Sequence, residues 1–130
     1  MASEGEALSD LVRMARFLRS DEGCPWDRAQ DEASLAQCVL SEAHELQEAV
    51  ASGDAAHIRE EIGDVLFALI GVAVVMEEKG ATHLIDIFTE LQGKMVRRHP
   101  HVFGKESAAT VEEALWHWNQ AKRSEKTGRP

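Results

Sequence analysis

The stretch from Val65 to Met76, VLFALIGVAVVM, is the strongest constraint on what this chain can fold into. Its twelve residues are uncharged and, apart from Gly71, apolar. In a helix they leave no polar face, and a helix that is apolar all round is buried all round. Twelve residues fall well short of the roughly 20 needed to span a bilayer, so the cover must be protein. The remaining helices of a 130-residue chain can cover only part of such a surface. Self-association is therefore expected. The other solution open to the sequence is a central helix covered within one chain.

The rest of the composition fits a globular domain. At 130 residues, with 44% hydrophobic and 28% charged residues, the chain is expected to form one domain, 1–130, around one core. A formal charge of -9 and a pI near 5.1 exclude a general nucleic-acid-coating protein, which needs a positive field for phosphates. Neither a nucleic acid nor a membrane is expected as a partner. Cys24 and Cys38 do not make a disulfide framework and read as thiols of a reducing compartment. The start, MASEGEALSD, lacks the basic and apolar segments of a signal peptide, so the expected location is cytoplasmic.

Helical periodicity recurs along the chain and no strand pattern competes with it. Leu8, Leu11, Val12, Ala15 and Leu18 predict a short N-terminal helix over about Glu6–Ser20. GCPWD interrupts the pattern at Gly23 and Pro25, and its Trp26 is expected to pack as a lid on the core. A second long helix is predicted from Glu32 to Ala51, capped by Asp31, with Leu35, Ala36, Val39, Leu40, Ala43, Leu46 and Val50 as its apolar stripe. Ser52-Gly53-Asp54 makes a tight turn into a third helix, Ala55 to Lys79, closed by Gly80. Thr82 is the candidate cap of a fourth helix ending near Arg98. Thr110-Val111-Glu112-Glu113 has the capping-box pattern for a last helix around Trp116 and Trp118. The polar tail from Lys122 to Pro130 has no apolar stripe and is expected to fray. The fold class is all-α: a bundle of antiparallel helices completed by oligomerisation.

Two acidic pairs stand on the helices that flank Gly53. Glu42 and Glu45 are three apart, as are Glu61 and Asp64, so each pair shares a helical face. Glu42 and Asp64 each lie eleven positions from Gly53, and Glu45 and Glu61 each lie eight away. In an antiparallel hairpin these become two rungs of facing carboxylates about 4.5 Å apart along the helix axes. Such convergence is unfavourable without a counterion, and a hard divalent cation such as Mg²⁺ resolves it. Gly63 is expected to leave room there for close packing or for a ligand. The plainer alternative is an acidic helix pair facing solvent. Lys94, Arg97 and Arg98 group at the end of the fourth helix, where they can bind phosphate or decorate a helix C-terminus. His99-Pro100-His101 follows, suited to capping, packing, phosphate binding or, on weak grounds, a transition metal.

GCPWDRAQ at residues 23–30, LSEAHELQEAV, REEIGDVLF and KMVRRHPHVFG at residues 94–104, in that order, resemble the MazG family of nucleoside triphosphate pyrophosphohydrolases. The resemblance implies helical homodimers or homotetramers acting on nucleoside or deoxynucleoside triphosphates. It implies Mg²⁺, with Mn²⁺ as substitute, and release of nucleoside monophosphate and pyrophosphate in a house-cleaning role. The family's EExxE and ExxD motifs make Glu42, Glu45, Glu61 and Asp64 the metal ligands and catalytic residues. Lys94, Arg97 and Arg98 fall on the family's basic segment and become substrate-binding candidates. Trp26 joins them as a surface on which a base could stack. Ser41 stands where the family has the first Glu of EExxE, and a hydroxyl cannot replace a carboxylate as a charged ligand. That departure suggests a second possibility, a non-catalytic nucleotide-binding or sensing protein of the same fold.

Overall fold

The computed structural model describes residues 1–127. Among them the regular elements are all helices: α1 Glu4–Leu18, α2 Pro25–Ala29, α3 Glu32–Ser52, α4 Ala55–Glu78, α5 Leu84–Arg98, α6 Pro100–Phe103 and α7 Val111–Thr127. The four long helices expected up to Arg98 are present, with ends within about two residues of expectation. No helix among the described residues is long and apolar enough to cross a membrane. The chain forms two compact units, residues 1–84 and the part from Ile85 onward.

In the first unit α3 and α4 form the antiparallel hairpin. Asp31 and Ser34 make a reciprocal capping box at the start of α3. Gly53 ends α3 in the left-handed conformation at φ 74°, which an L side chain adopts only with strain. The Asp54 carboxylate then accepts from the backbone of Ala56 and His57 to start α4. Val12 and Ala15 of α1 pack with Ile70 and Val74 of α4 and with Leu84 as the core. Leu35 and Ala49 of α3 are also buried.

Ion pairs hold the outer ends of this core. Arg16 pairs with Glu77 at 2.9 Å, Arg19 with Glu78 at 2.9 Å, and Lys79 with Glu32 at 2.6 Å. Glu77 also accepts the backbone N–H of Leu84 at 3.1 Å, so it supplies the start of α5 with its acceptor. Thr82, the expected cap, instead turns its hydroxyl to the carbonyl of His83. Two further expectations are corrected. Trp26 is 58% exposed and is no lid on the core. Lys122–Thr127 belongs to α7, because Glu125 pairs with Arg98 at 2.8 Å and so ties the polar end of that helix. Residues 128–130 of the tail lie outside the described residues.

The apolar run of α4 is covered on two sides only. Ile70 and Val74 face α1, while Gly71 faces Leu35 of α3. Leu66 and Leu69 stay 38% and 49% exposed, and Ile62 continues their face at i,i+4 spacing. Leu40 and Val50 of α3, expected in its buried stripe, are exposed as well.

Two glycines separate close approach from open space. A Cβ on Gly23 would collide with the carbonyls of Phe17 and Leu18, where the chain doubles back after α1. A Cβ on Gly63 would meet nothing within 4 Å, so no packing inside this chain requires that glycine. Gly23→Ala is therefore expected to destabilise the fold by about 1–3 kcal/mol through overpacking. Gly63→Ala should stabilise α4 by roughly 0.5–1 kcal/mol through helix propensity. Urea melts of both variants check the opposite signs.

Candidate metal centre

The α3–α4 seam carries its acids at positions that elsewhere take apolar residues. Leu35, Glu42 and Ala49 stand seven apart on α3, and both Leu35 and Ala49 are buried. Glu61, Ala68 and Val75 repeat that spacing on α4, with Val75 buried. A seven-residue spacing keeps one helix face toward its neighbour, so Glu42 and Glu61 point into the seam rather than outward. Glu61 is only 7% exposed. Its Oε2 and the Oε2 of Glu42 are buried without a hydrogen-bond partner. Buried carboxylate oxygens in that condition carry an uncompensated desolvation cost.

The carboxylates form two overlapping triads. Glu42, Glu45 and Glu61 offer oxygens that all lie within 4.8 Å of one another, and so do Glu60, Glu61 and Asp64. Glu61 is common to both. The four acids singled out in the sequence thus do not close into one set, because Asp64 gathers with Glu60 and Glu61. Glu60 is the member that spacing about Gly53 did not select. Its signal was its position four residues before Asp64, on the same turn of α4. Ser41 is exposed.

Crowding of like charge shows in the titration of the site. The hydrogen bond to Glu45, then burial, then the charges of Glu45, Asp64 and Glu61, push Glu42 up from 4.5 to about 7. Burial, followed by the charges of Glu45 and Asp64, raises Glu61, while His57 opposes the rise from 3.5 Å away. An all-oxygen donor set with unpartnered buried oxygens fits a hard divalent cation, which would satisfy those oxygens and relieve the repulsion.

A cavity of about 280 Å³ adjoins these acids. Trp26, Leu35, Cys38 and Phe67 supply its apolar wall, with Glu42 and Asp64 at its edge. Arg19 and Asp27 also line it. Arg19 donates to the carbonyls of Asp27 and Gln30, which fixes the short helix that presents Trp26. Sequence spacing did not select Cys38 or Phe67. Cys38 lies three residues after Leu35 on the seam side of α3, and that periodicity was the available signal.

The basic residues lie in the second unit. Arg98 is held by Glu125 at 2.8 Å and stacks over Trp118 at 4.7 Å. Arg97 is 3.7 Å from the same carboxylate and its side chain is 58% exposed. Lys94 forms no ion pair among the described residues. His99 Nδ1 lies 2.6 Å from the Met95 carbonyl, and the ring packs edge-on to Trp118. His101 stacks on His117.

The fold and this seam define a class: an all-α protein whose antiparallel helix pair presents a carboxylate centre able to hold a divalent cation. Residues 30–103 match the MazG nucleotide pyrophosphohydrolase domain. The chain belongs to the MazG family. It is 38% identical over 116 residues to the nucleoside triphosphate pyrophosphohydrolase of Escherichia coli (strain K12), a match covering 89% of this chain and 44% of that protein. It is 40% identical over 118 residues to the uncharacterized protein YabN of Bacillus subtilis (strain 168), covering 91% of this chain and 24% of that one. The crystal structure of a mazG-related protein from Thermotoga maritima superposes with a TM-score of 0.74 at 31% identity, covering 88% of this chain and 98% of that one. The chain thus spans less than half the length of these two curated relatives.

The raised Glu42 sets a sign for stability. Between its ordinary 4.5 and about 7 the folded state holds a proton that the unfolded state releases. Through this group the cation-free protein loses stability as pH rises across that window and regains it as pH falls. In thermal melts with chelator from pH 8 to 5, the wild type should gain on Glu42→Gln as pH falls. An unchanged difference between the two proteins across the window would contradict the assignment.

Proposed function

We propose that this domain hydrolyses nucleoside triphosphates, deoxy forms included, to the monophosphate and pyrophosphate with Mg²⁺ bound at the α3–α4 seam. The observation that carries the proposal is the pair of buried, unpartnered carboxylate oxygens on Glu42 and Glu61, within a set of acids drawn from both helices. The activity for which the Escherichia coli relative is named supports the same chemistry. Glu42, Glu45 and Glu61 would supply oxygen donors to the cation, with Asp64 joining them through the triad it forms with Glu60 and Glu61, and Mn²⁺ can stand in for Mg²⁺ because both take oxygen donors. Bound there, the cation would neutralise charge on the phosphoryl oxygens and lower the pKa of a coordinated water. Water attacks the α-phosphorus, the bond to the bridging oxygen breaks, and pyrophosphate leaves.

Trp26 offers its exposed ring to the base at the mouth of the cavity, beside the edge formed by Glu42 and Asp64. Lys94 and Arg97 are the cations of α5 left to contact phosphate, since Arg98 is committed to Glu125 and Trp118. The second reading, a non-catalytic nucleotide-binding or sensing protein of the same fold, rests on Ser41 in place of the family's first Glu.

The open apolar face supports a homodimer or homotetramer. Leu40 and Val50 of α3 and Ile62, Leu66 and Leu69 of α4 leave large side chains in solvent on the helix pair that carries the site. Apolar patches of that kind mark association surfaces. In sedimentation at micromolar concentration the mass should exceed one 14.4 kDa chain, and Leu66→Asp should lower it. A wild-type monomer would remove the assembly from the proposal.

A nucleotide panel analysed by chromatography, with and without Mg²⁺, tests the reaction. The expected products are monophosphate and pyrophosphate, only with the cation. Asp64→Asn should lower kcat by more than about 100-fold with the helical spectrum retained, since even outer-shell changes at metal sites cost 10–100-fold. Orthophosphate as the first product would refute the proposed bond selectivity. Saturable binding without turnover would leave the sensing protein in its place.

A further inference from the structure

We propose that Arg19 is the positioning residue of the wall that takes the base: its guanidinium latches α2 to α4 and so sets where the Trp26 ring stands at the cavity. The inference rests on the reading of Trp26 as the surface on which the base stacks, and adds the residue that holds that surface in place.

What holds α2 is not packing. None of its residues, Pro25–Ala29, is buried, so apolar contact does not fix where it lies. A helix this short has no stability by itself. Its other ties are local. Arg28 donates to the carbonyls of Ser20 and Asp21 in the segment leading into α2, and Gln30 donates to the carbonyl of Trp26. The backbone N–H of Cys24 donates to the carbonyl of Leu18 at the end of α1. Among the described residues, the hydrogen bonds that link α2 with α4 all pass through Arg19.

The guanidinium suits that task. Nε and Nη2 donate to the two carboxylate oxygens of Glu78 at 2.9 and 3.0 Å. Nη1 donates to the carbonyls of Asp27 and Gln30, the latter at 3.0 Å. Those carbonyls stand at the C-terminal end of α2, where helix carbonyls lack partners of their own. The Arg19 side chain is only 12% exposed, so the latch is shielded from water. A planar fork binds a carboxylate along one edge and carbonyls along another, which the compact ammonium of a lysine cannot do.

The anchor lies on the right face of α4. Glu78 follows Gly71 by seven residues, and Gly71 follows Asp64 by seven, so the three share one face. Asp64 and Gly71 line the cavity together with Arg19 and Trp26. The latch therefore ties the ring to the same row of α4 that brings an acid of the centre to the cavity edge. A displaced ring loses the base and leaves the phosphates their own contacts. Base–aromatic stacking amounts to roughly 5–150-fold in affinity.

Two probes separate base from phosphate, each titrated by calorimetry with Mg²⁺. One is the α,β-methylene analogue of dATP, which keeps both parts, and the other is inorganic tripolyphosphate, which has no base. Arg19→Lys and Trp26→Ala should each weaken the analogue by at least about 5-fold and leave tripolyphosphate unchanged. The two losses should not add, so Arg19→Lys in the Trp26→Ala background should change nothing further. Glu78→Gln breaks the other end of the latch at a half-exposed side chain and should follow the pattern of Arg19→Lys. In protein carrying fluorotryptophan, without nucleotide, the fluorine resonance missing from Trp26→Phe belongs to Trp26. Both latch variants should shift that resonance, with those of Trp116 and Trp118 in place and the helical spectrum retained. A loss that falls equally on tripolyphosphate, a loss that persists in the Trp26→Ala background, or an unmoved Trp26 resonance overturns the proposal. Undiminished binding of the analogue by Trp26→Ala removes the base reading and this inference with it. A loss in Trp26→Ala with none in the latch variants leaves that reading standing and overturns the latch alone.

Discussion

Burying Glu61 at the seam of two helices is the constraint around which the first unit is arranged. A carboxylate with one unpartnered oxygen belongs in water, and α4 brings it to 7% exposure against α3. The hairpin leaves it little choice. Leu35 and Ala49 on one helix and Val75 on the other are buried apolar residues, and the seven-residue repeat that buries them carries Glu42 and Glu61 inward as well. Apolar burial above the acids and the tight turn at Gly53 below them hold the carboxylates together despite their repulsion. A site under this tension is poised for a cation, because binding removes a cost that folding has already imposed.

The remaining contacts of the first unit keep this seam in register. α1 lies on α4 through Val12 and Ala15, and Arg16 and Arg19 secure its far end to Glu77 and Glu78. Partly exposed pairs of this kind add little stability individually, so their value lies in placement. Arg19 joins three segments: its guanidinium reaches Glu78 on α4 and the carbonyls of Asp27 and Gln30. Through it, Trp26 and the cavity wall are referred to the helix that carries Glu61 and Asp64. Glu77 serves two purposes as well, pairing with Arg16 and capping Leu84.

The helices were legible because their signals are local. Asp31, Gly53, Asp54 and Gly80 act within one or two residues of the ends they mark, and each is found in that role or beside it. The acids were legible as a symmetric pattern about Gly53, but not their division into triads, since that depends on side-chain direction around each helix as well as height along it. Height pairs Glu42 with Asp64. Direction also brings Asp64 to Glu60, a residue read from the sequence as one more acid on a charged helix. Cys38 and Phe67 were missed because a cavity is made by what neighbouring helices leave unfilled, which no single periodicity records. The role of Glu77 at the start of α5 was hidden because its partner lies beyond the Gly80 turn. Lys122–Thr127 read as loose chain because an ion pair to Arg98, 27 residues before Glu125, leaves no apolar stripe to find.

The twelve-residue apolar run acquires its meaning from the three sides of α4. Ile70 and Val74 turn to α1, Val75 and Glu61 share the repeat that faces α3, and Ile62, Leu66 and Leu69 turn to solvent. The third side could have been polar without disturbing either of the other two. Leaving it apolar on the helix that also supplies Glu60, Glu61 and Asp64 couples two properties that are separable in principle. A partner covering Ile62 and Leu66 would stiffen the turns between and beside the acids, because both apolar residues are interleaved with them within the same seven positions. It would also lower the local dielectric there and strengthen every charge interaction of the carboxylates. The apolar face proposed for assembly and the acids proposed for the cation thus lie on one helix, and a change to the outer face of α4 is expected to act on both.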